Sequence, residues 1–286
     1  MNRRQFSRSS LALSATALSA SLVACGPTDI SSSATNALKQ QPYKDKLGVQ
    51  LYTLRDLFQK DYKATLQALA DIGYKTLEFA GYYDHDPKNV RAHMDALGLK
   101  SHSAHIQLAD MKDSFDQVVE TAQTMGQTYL VLPWISEELR TIDGYKMVAN
   151  LLNKRGEQAK AAGMKTAYHN HEFEFDIIDG QTPYDILLSE TDADLVQMEI
   201  DFFWTRKANV DPVTYFKEHP GRFFGCHIKD MNMAGDMVSV GNGTIDFDAL
   251  LDNSDLAGLE HFYVEHDNPK DALASVRRSF NHLAAL

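Results

Sequence analysis

Val196-Gln197-Met198-Glu199-Ile200-Asp201-Phe202-Phe203-Trp204 is the stretch on which the reading of the fold turns. Six residues of largely apolar strand end in an acid, and Glu199 and Asp201, two apart, fall on one face of it. Short, apolar segments of this kind suit parallel strands buried on both sides. Outward from it the same unit repeats. Candidate strands fall at 47–53, 76–80, 100–106, 129–133 and 165–170 before it, and at 223–228 and 262–265 after it. Stretches such as 62–72, 89–97, 114–125 and 145–162 carry apolar residues three and four apart, the period of a helix. Strand and helix therefore alternate from Leu47 onward, and right-handed crossovers of this number close an α/β barrel, the (β/α)8 TIM barrel. An open doubly wound sheet is the competing architecture, but no Gly-x-Gly-x-x-Gly turn follows the first strand and no Walker-type loop occurs.

The chemically useful residues gather at the C-terminal ends of these strands, where barrel enzymes build their active sites. Strand five ends Tyr168-His169-Asn170-His171-Glu172, strand seven carries His227-Ile228-Lys229-Asp230, and strand eight ends Val264-Glu265-His266-Asp267. Together with Asp201 they offer a carboxylate, an imidazole and a carboxylate on three consecutive strands, with a histidine one strand earlier. Such a mixed nitrogen and oxygen set suits one divalent metal ion, and ligand type alone leaves Mn²⁺, Co²⁺, Zn²⁺ and Mg²⁺ open.

From Leu47 to the C-terminus the chain resembles the xylose isomerase-like TIM barrels, a family broadly described as sugar phosphate isomerases/epimerases and related to endonuclease IV. The ordered pieces that carry the resemblance include Gly48-Val49-Gln50-Leu51-Tyr52, Leu77-Glu78-Phe79-Ala80-Gly81, Ser103-Ala104-His105 and Tyr168-His169-Asn170-His171. Further on come Asp201-Phe202-Phe203-Trp204, His227-Ile228-Lys229-Asp230, Val240-Gly241-Asn242-Gly243-Thr244-Ile245-Asp246 and Val264-Glu265-His266-Asp267. The resemblance implies a metal set of His169, Asp201, His227 and Glu265, with one departure: the first position holds His where the family has Glu.

That departure bears on the reaction. Epimerases of this family are understood to work with two metal-bound carboxylates on opposite faces of an enediolate, and only Glu265 remains clearly available. His171 and Lys229 are candidates for a second acid or base, or for donors to substrate. Tyr52, Trp134 and Trp204 are candidates to cover the apolar faces of a sugar, with His105 and Glu78 as further substrate contacts. The segment 231–248 offers Gly241-Asn242-Gly243 but no Arg or Lys, which disfavours a phosphorylated substrate. The leading expectation is a metal-dependent sugar isomerase or epimerase acting on a neutral small-molecule sugar or keto-sugar. The rivals are a lyase that eliminates the aglycone of a 3-keto-glycoside on the same scaffold, a nuclease, and a non-catalytic sugar-binding lipoprotein. Trp204 stands where the related endonuclease has a metal-binding histidine, which counts against the nuclease.

The chain has 286 residues and a net charge of -11, a balance that repels phosphate backbones, so nucleic acid is not an expected partner. Its start reads differently. Arg3-Arg4-Gln5-Phe6 precedes an uncharged run from Leu11 to Ala24, and Leu22-Val23-Ala24-Cys25-Gly26 resembles a lipobox. Residues 1–24 are therefore expected to be a twin-arginine type signal peptide, with Cys25 lipidated and residues 25–46 a flexible tether to a catalytic domain at 47–286. Loss of three arginines and no acid takes the mature charge from -11 to -14. This start implies an exported, periplasmic protein anchored to a membrane through its lipid. The family resemblance is also compatible with homo-oligomers. Cys25 and Cys226 are the two cysteines, with no zinc-finger spacing.

Overall fold

A computed structural model describes residues 43–286. The signal peptide, Cys25 and most of the expected tether lie outside the described residues. Eight parallel strands form the barrel: β1 (Leu47–Gln50), β2 (Thr76–Phe79), β3 (Lys100–His105), β4 (Tyr129–Leu132), β5 (Lys165–His169), β6 (Val196–Asp201), β7 (Phe223–Ile228) and β8 (His261–Val264). Each pairs with its neighbours in sequence, and β1 pairs with both β2 and β8, which closes the cylinder. All eight expected strands are present. The first is shorter than 47–53 because the Gln50 side chain accepts the Tyr52 amide at 3.0 Å and turns the chain into a 3-10 helix, Leu51–Leu54.

The helices around the barrel start and stop where side chains satisfy their free backbone groups. Asp61 accepts the Ala64 amide at 3.0 Å to start Tyr62–Ile72, and Asp86 with Pro87 starts Pro87–Leu97. Leu66, Leu69, Val90 and Met94 face inward from these two helices and are fully buried against the strands. Among the described residues no helix is long and apolar enough to cross a membrane.

Inside the barrel the N-terminal end is plugged by aromatic rings. Tyr129 stacks on Phe224 at 3.9 Å, and Tyr263 lies fully buried beside them. Gly48 makes room for that ring, since a Cβ there would stand 2.7 Å from Tyr263. Tyr43, which falls within the expected tether, is 2% exposed and packs its ring 6.0 Å from that of Phe262. With the floor closed by rings, the buried acids Glu199, Asp201 and Glu265 gather in the upper half of the barrel.

Two register irregularities set the aim of that upper half. Between Leu77 and Glu78 the pairing with β3 skips His102, and between Met198 and Glu199 the pairing with β7 skips Phe224. A bulge of this kind re-aims the residues beyond it.

Candidate active site

The deeper polar layer is built on those two bulges. Glu199 Oε2 lies 3.0 Å from His105 Nε2, 3.2 Å from His169 Nδ1 and 3.1 Å from His227 Nε2. Glu78 Oε2 accepts from Gln50 Nε2 at 2.9 Å and lies 2.6 Å from His227 Nε2. Both carboxylates are fully buried. Burial and the neighbouring Glu199 charge push the Glu78 carboxyl up. Burial also opposes ionisation of Glu199, but the His227 charge and the hydrogen bonds from the three histidines hold it well below the usual carboxylate range. One acid of the pair thus carries the charge and the other tends to keep its proton.

Above this layer sit Asp201, Glu265 and Lys229. Asp201 Oδ1 accepts the amides of Phe203 and Trp204 at 2.8 and 3.0 Å, capping the short helix Phe202–Lys207. Asp201 Oδ2 has no hydrogen-bond donor among the described residues, although Lys229 Nζ lies 3.1 Å away as an ion-pair partner. Burial raises the Asp201 carboxyl to about 6. Glu265 Oε2 lies 2.7 Å from both His227 Nδ1 and Lys229 Nζ. Against the penalty of burial, the charges of Lys229 and His227 keep Glu265 well below the carboxylate range. Lys229 also donates to Asp267 at 2.9 Å, and its three acidic neighbours hold it firmly charged despite burial. Its charge state reserves it for donating rather than accepting a proton.

Asp201, His227 and Glu265 offer ligand atoms within 4.8 Å of one another, and His169 Nε2 stands 3.7 Å from Asp201 Oδ2. Of the expected metal set the structure thus gathers Asp201, His227 and Glu265 within reach of one ion, with His169 beside Asp201 but grouped with the deeper layer. A carboxylate oxygen buried without a hydrogen-bond donor, faced by imidazole nitrogens and a second carboxylate, fits a divalent cation of the borderline class.

A cavity of about 530 Å³ opens over this layer. His169, His171, Lys229, Glu265 and His105 form its base and Tyr52 and Trp134 its rim, with Arg55 and Asp267 beside them. Tyr52 is 41% and Trp134 44% exposed, so both keep a ring face free. Arg55 fixes the Tyr52 side, with its guanidinium 4.1 Å from the ring and Nη1 on the Asp267 carbonyl at 2.8 Å. Arg140 does the same for Trp134 at 5.4 Å. His171 is held neutral, because burial and the nearby His169 and Lys229 push its imidazole well down. Its Nδ1 is buried without a partner among the described residues. Its backbone amide is anchored on Glu174 Oε2 at 2.7 Å, and Glu174 also accepts from Tyr168 at 2.6 Å.

Two expected substrate contacts fall elsewhere. Glu78 lies beneath the histidines, fully buried, and Trp204 turns onto the helix after β6, its ring 4.8 Å from Phe203 and 5.2 Å from His171. Neither lines the cavity. Sequence reasoning placed Glu199 on the Asp201 face but gave it no task, and alternation along β6 was the signal that could have found it. The glycine loop after β7 is committed internally: the Asp230 carboxylate accepts the amides of Met231, Gly241, Gly243 and Ile245 at 2.8 to 3.2 Å. Those amides are not free to cradle a phosphate.

Comparison with known proteins agrees with this architecture. A family model described as "Xylose isomerase-like TIM barrel" matches residues 66–286, and the chain belongs to that family. Among characterised relatives, an inosose dehydratase of Lacticaseibacillus casei is 22% identical over 191 residues, covering 59% of this chain and 63% of that protein. An inosose dehydratase of Clostridium botulinum is 23% identical over 235 residues, covering 68% of this chain and 77% of its own. A crystal structure described as a sugar phosphate isomerase/epimerase from Parabacteroides distasonis superposes with a TM-score of 0.75 at 25% identity, covering 84% of this chain and 98% of that one.

Proposed function

We propose that this protein is a metal-assisted lyase of neutral keto-sugars, removing a substituent β to a carbonyl, with a 3-keto-glycoside as substrate and its aglycone as the leaving group. One observation carries the reading: of the buried carboxylates, Glu265 alone lines the cavity, and the position across the site from it is His169. Elimination on one face needs a single base, because the proton taken from carbon is the proton the departing oxygen requires. Inversion at carbon needs a second acid on the far face. The inosose dehydratases named above remove water from a keto-cyclitol, as their name states, which is the same class of bond cleavage.

A divalent cation held by Asp201, His227, Glu265 and His169 would polarise the substrate carbonyl and offset the negative charge that develops beside it. The chain's own residues do the rest. Ionised Glu265 takes the proton from the carbon next to the carbonyl; the carbon–oxygen bond at the β position breaks; the departing oxygen keeps the electron pair and receives the proton. Charged Lys229 donates to oxygen as charge builds there. Neutral His171, with Nδ1 unpartnered, binds a sugar hydroxyl. The rings of Tyr52 and Trp134 lie against apolar sugar faces.

Aldose–ketose isomerisation by the same one-face transfer is the second reading, since it also needs only one base. The two separate by product. A nitrophenyl 3-keto-glucoside should release nitrophenol with wild-type protein and none with Glu265→Gln. Conversion of free ketoses to isomers with solvent deuterium uptake, and no nitrophenol, would overturn the lyase. Metal content of the purified protein tests the site itself: His227→Ala should lose the ion that wild type retains. Export through the arginine-rich start and anchoring by lipidated Cys25 complete the proposal, and radiolabelled palmitate incorporation that disappears in Cys25→Ala checks it.

A further inference from the structure

His169 and His227 each straddle two layers of acid. His169 turns Nδ1 down to Glu199 Oε2 at 3.2 Å and Nε2 up toward Asp201 Oδ2 at 3.7 Å. His227 turns Nε2 down to Glu78 Oε2 at 2.6 Å and the same Glu199 oxygen at 3.1 Å, and Nδ1 up to Glu265 at 2.7 Å and toward Asp201 at 4.0 Å. A cation bound above them would take the upper nitrogen of each ring as a lone pair, displacing the proton that the acids hold on His227, and whatever then fixes N–H on the lower nitrogen fixes the lone pair on the upper one.

We infer that Glu199 is the positioning residue of the metal site: by accepting from His169 Nδ1–H and sharing His227 Nε2–H with Glu78 it points the lone pairs of His169 Nε2 and His227 Nδ1 at the space between Asp201 and Glu265. The inference rests on the metal reading above and deepens it. A carboxylate behind a ligating imidazole orients the ring and raises its donor strength. Glu199 has the attributes such a residue needs. It is fully buried, it shares the inward face of β6 with Asp201, and His105 adds a third contact to the same oxygen at 3.0 Å.

The competing use of the same atoms is a second cation in the deeper layer, because His105, His169, Glu199 and His227 also offer ligand atoms within 4.8 Å of one another. Convergence of three imidazole nitrogens on one shared oxygen at hydrogen-bond distance favours the acceptor role.

The test is a Co²⁺ titration of the metal-free protein, read by visible absorption and by ions bound per chain. Wild type should take up one Co²⁺. Glu199→Gln should take it up about 10- to 100-fold more weakly, with an altered absorption band, because its amide supplies N–H donors where an acceptor is needed. Glu199→Asp, which keeps the charge, should recover part of the affinity, and the metal-free thermal midpoints of all three should be close. Wild-type affinity and spectrum in Glu199→Gln would overturn the inference and leave the metal site standing. Two ions per wild-type chain, one of them lost in Glu199→Gln, would overturn it in favour of the second site. A wild-type protein that binds no Co²⁺ would bring down the metal reading and this inference with it.

Discussion

Asp201 and Asp230 are both buried aspartates beyond or at the end of a barrel strand, and they are used in opposite ways. Asp230 accepts four backbone amides and thereby ties the segment 239–245 to the end of β7. Asp201 uses one oxygen to cap a helix and leaves the other with no hydrogen bond among the described residues and the Lys229 ammonium 3.1 Å away as its ion-pair partner. A buried carboxylate with every lone pair engaged is architecture; one with an oxygen left over, facing imidazoles and a second acid, is built to receive something. The contrast separates residues whose loss should harm the reaction from those whose loss should harm the fold.

The largest effect is expected on the receptive side. Glu265→Gln should lower kcat about 10²- to 10⁴-fold in the nitrophenol assay while moving the thermal midpoint little, since the amide preserves volume. A variant with near wild-type turnover would break the contrast. On the committed side, Asp230→Ala should cost roughly 3 kcal/mol and lower Tm by about 6–12 °C, with turnover retained at temperatures where the domain stays folded. Calorimetry together with the same assay checks both halves.

Glu174 sharpens the comparison, because it supports His171 from behind and is fully buried. Burial lifts it from 4.5 to about 8, so between those values the folded chain keeps a proton that the unfolded chain releases. Its contribution to stability is complete below pH 4.5 and is lost as pH rises through 8, at up to about 1.4 kcal/mol per pH unit. Urea unfolding at pH 5, 6.5 and 8 should show wild type losing this share and Glu174→Gln lacking it; parallel profiles would remove Glu174 from the account. The smallest effect belongs to the rim. Trp134→Ala should raise KM about 2- to 10-fold with kcat kept, as loss of one stacking face worth roughly 0.5–1.5 kcal/mol implies.

The barrel was legible in the sequence because strand alternation and helical period are local signals. Asp201, His227 and Glu265 were legible too, since each stands at the end of an apolar run. What escaped depended on geometry that local patterns do not carry. Glu78 reads as one more strand-end acid, yet the bulge beside it and the contact to His227 draw it beneath the cavity. Trp204 reads as a cavity aromatic, but the cap made by Asp201 starts a helix at Phe202 and carries the indole onto Phe203. Tyr43 sits in a polar stretch and its burial depends on partners distant in the chain, among them Phe262, some 219 positions later.

The skipped residues His102 and Phe224 act as phase markers in β3 and β7. Pleating alternates sides with every residue, and the extra residue of a bulge stands outside that count, so deleting either one would restore plain register and keep the facing of all that follows it in that strand. Loss of Phe224 would leave Gly225 beside Glu199 and His227 beside Asp201 while removing the ring stacked on Tyr129; loss of His102 would leave Ser103 beside Glu78 while removing the ring stacked on His261. A codon lost at either marker thus spares the aim of the site and loosens the floor beneath it, whereas a codon lost between marker and site would turn the site residues outward.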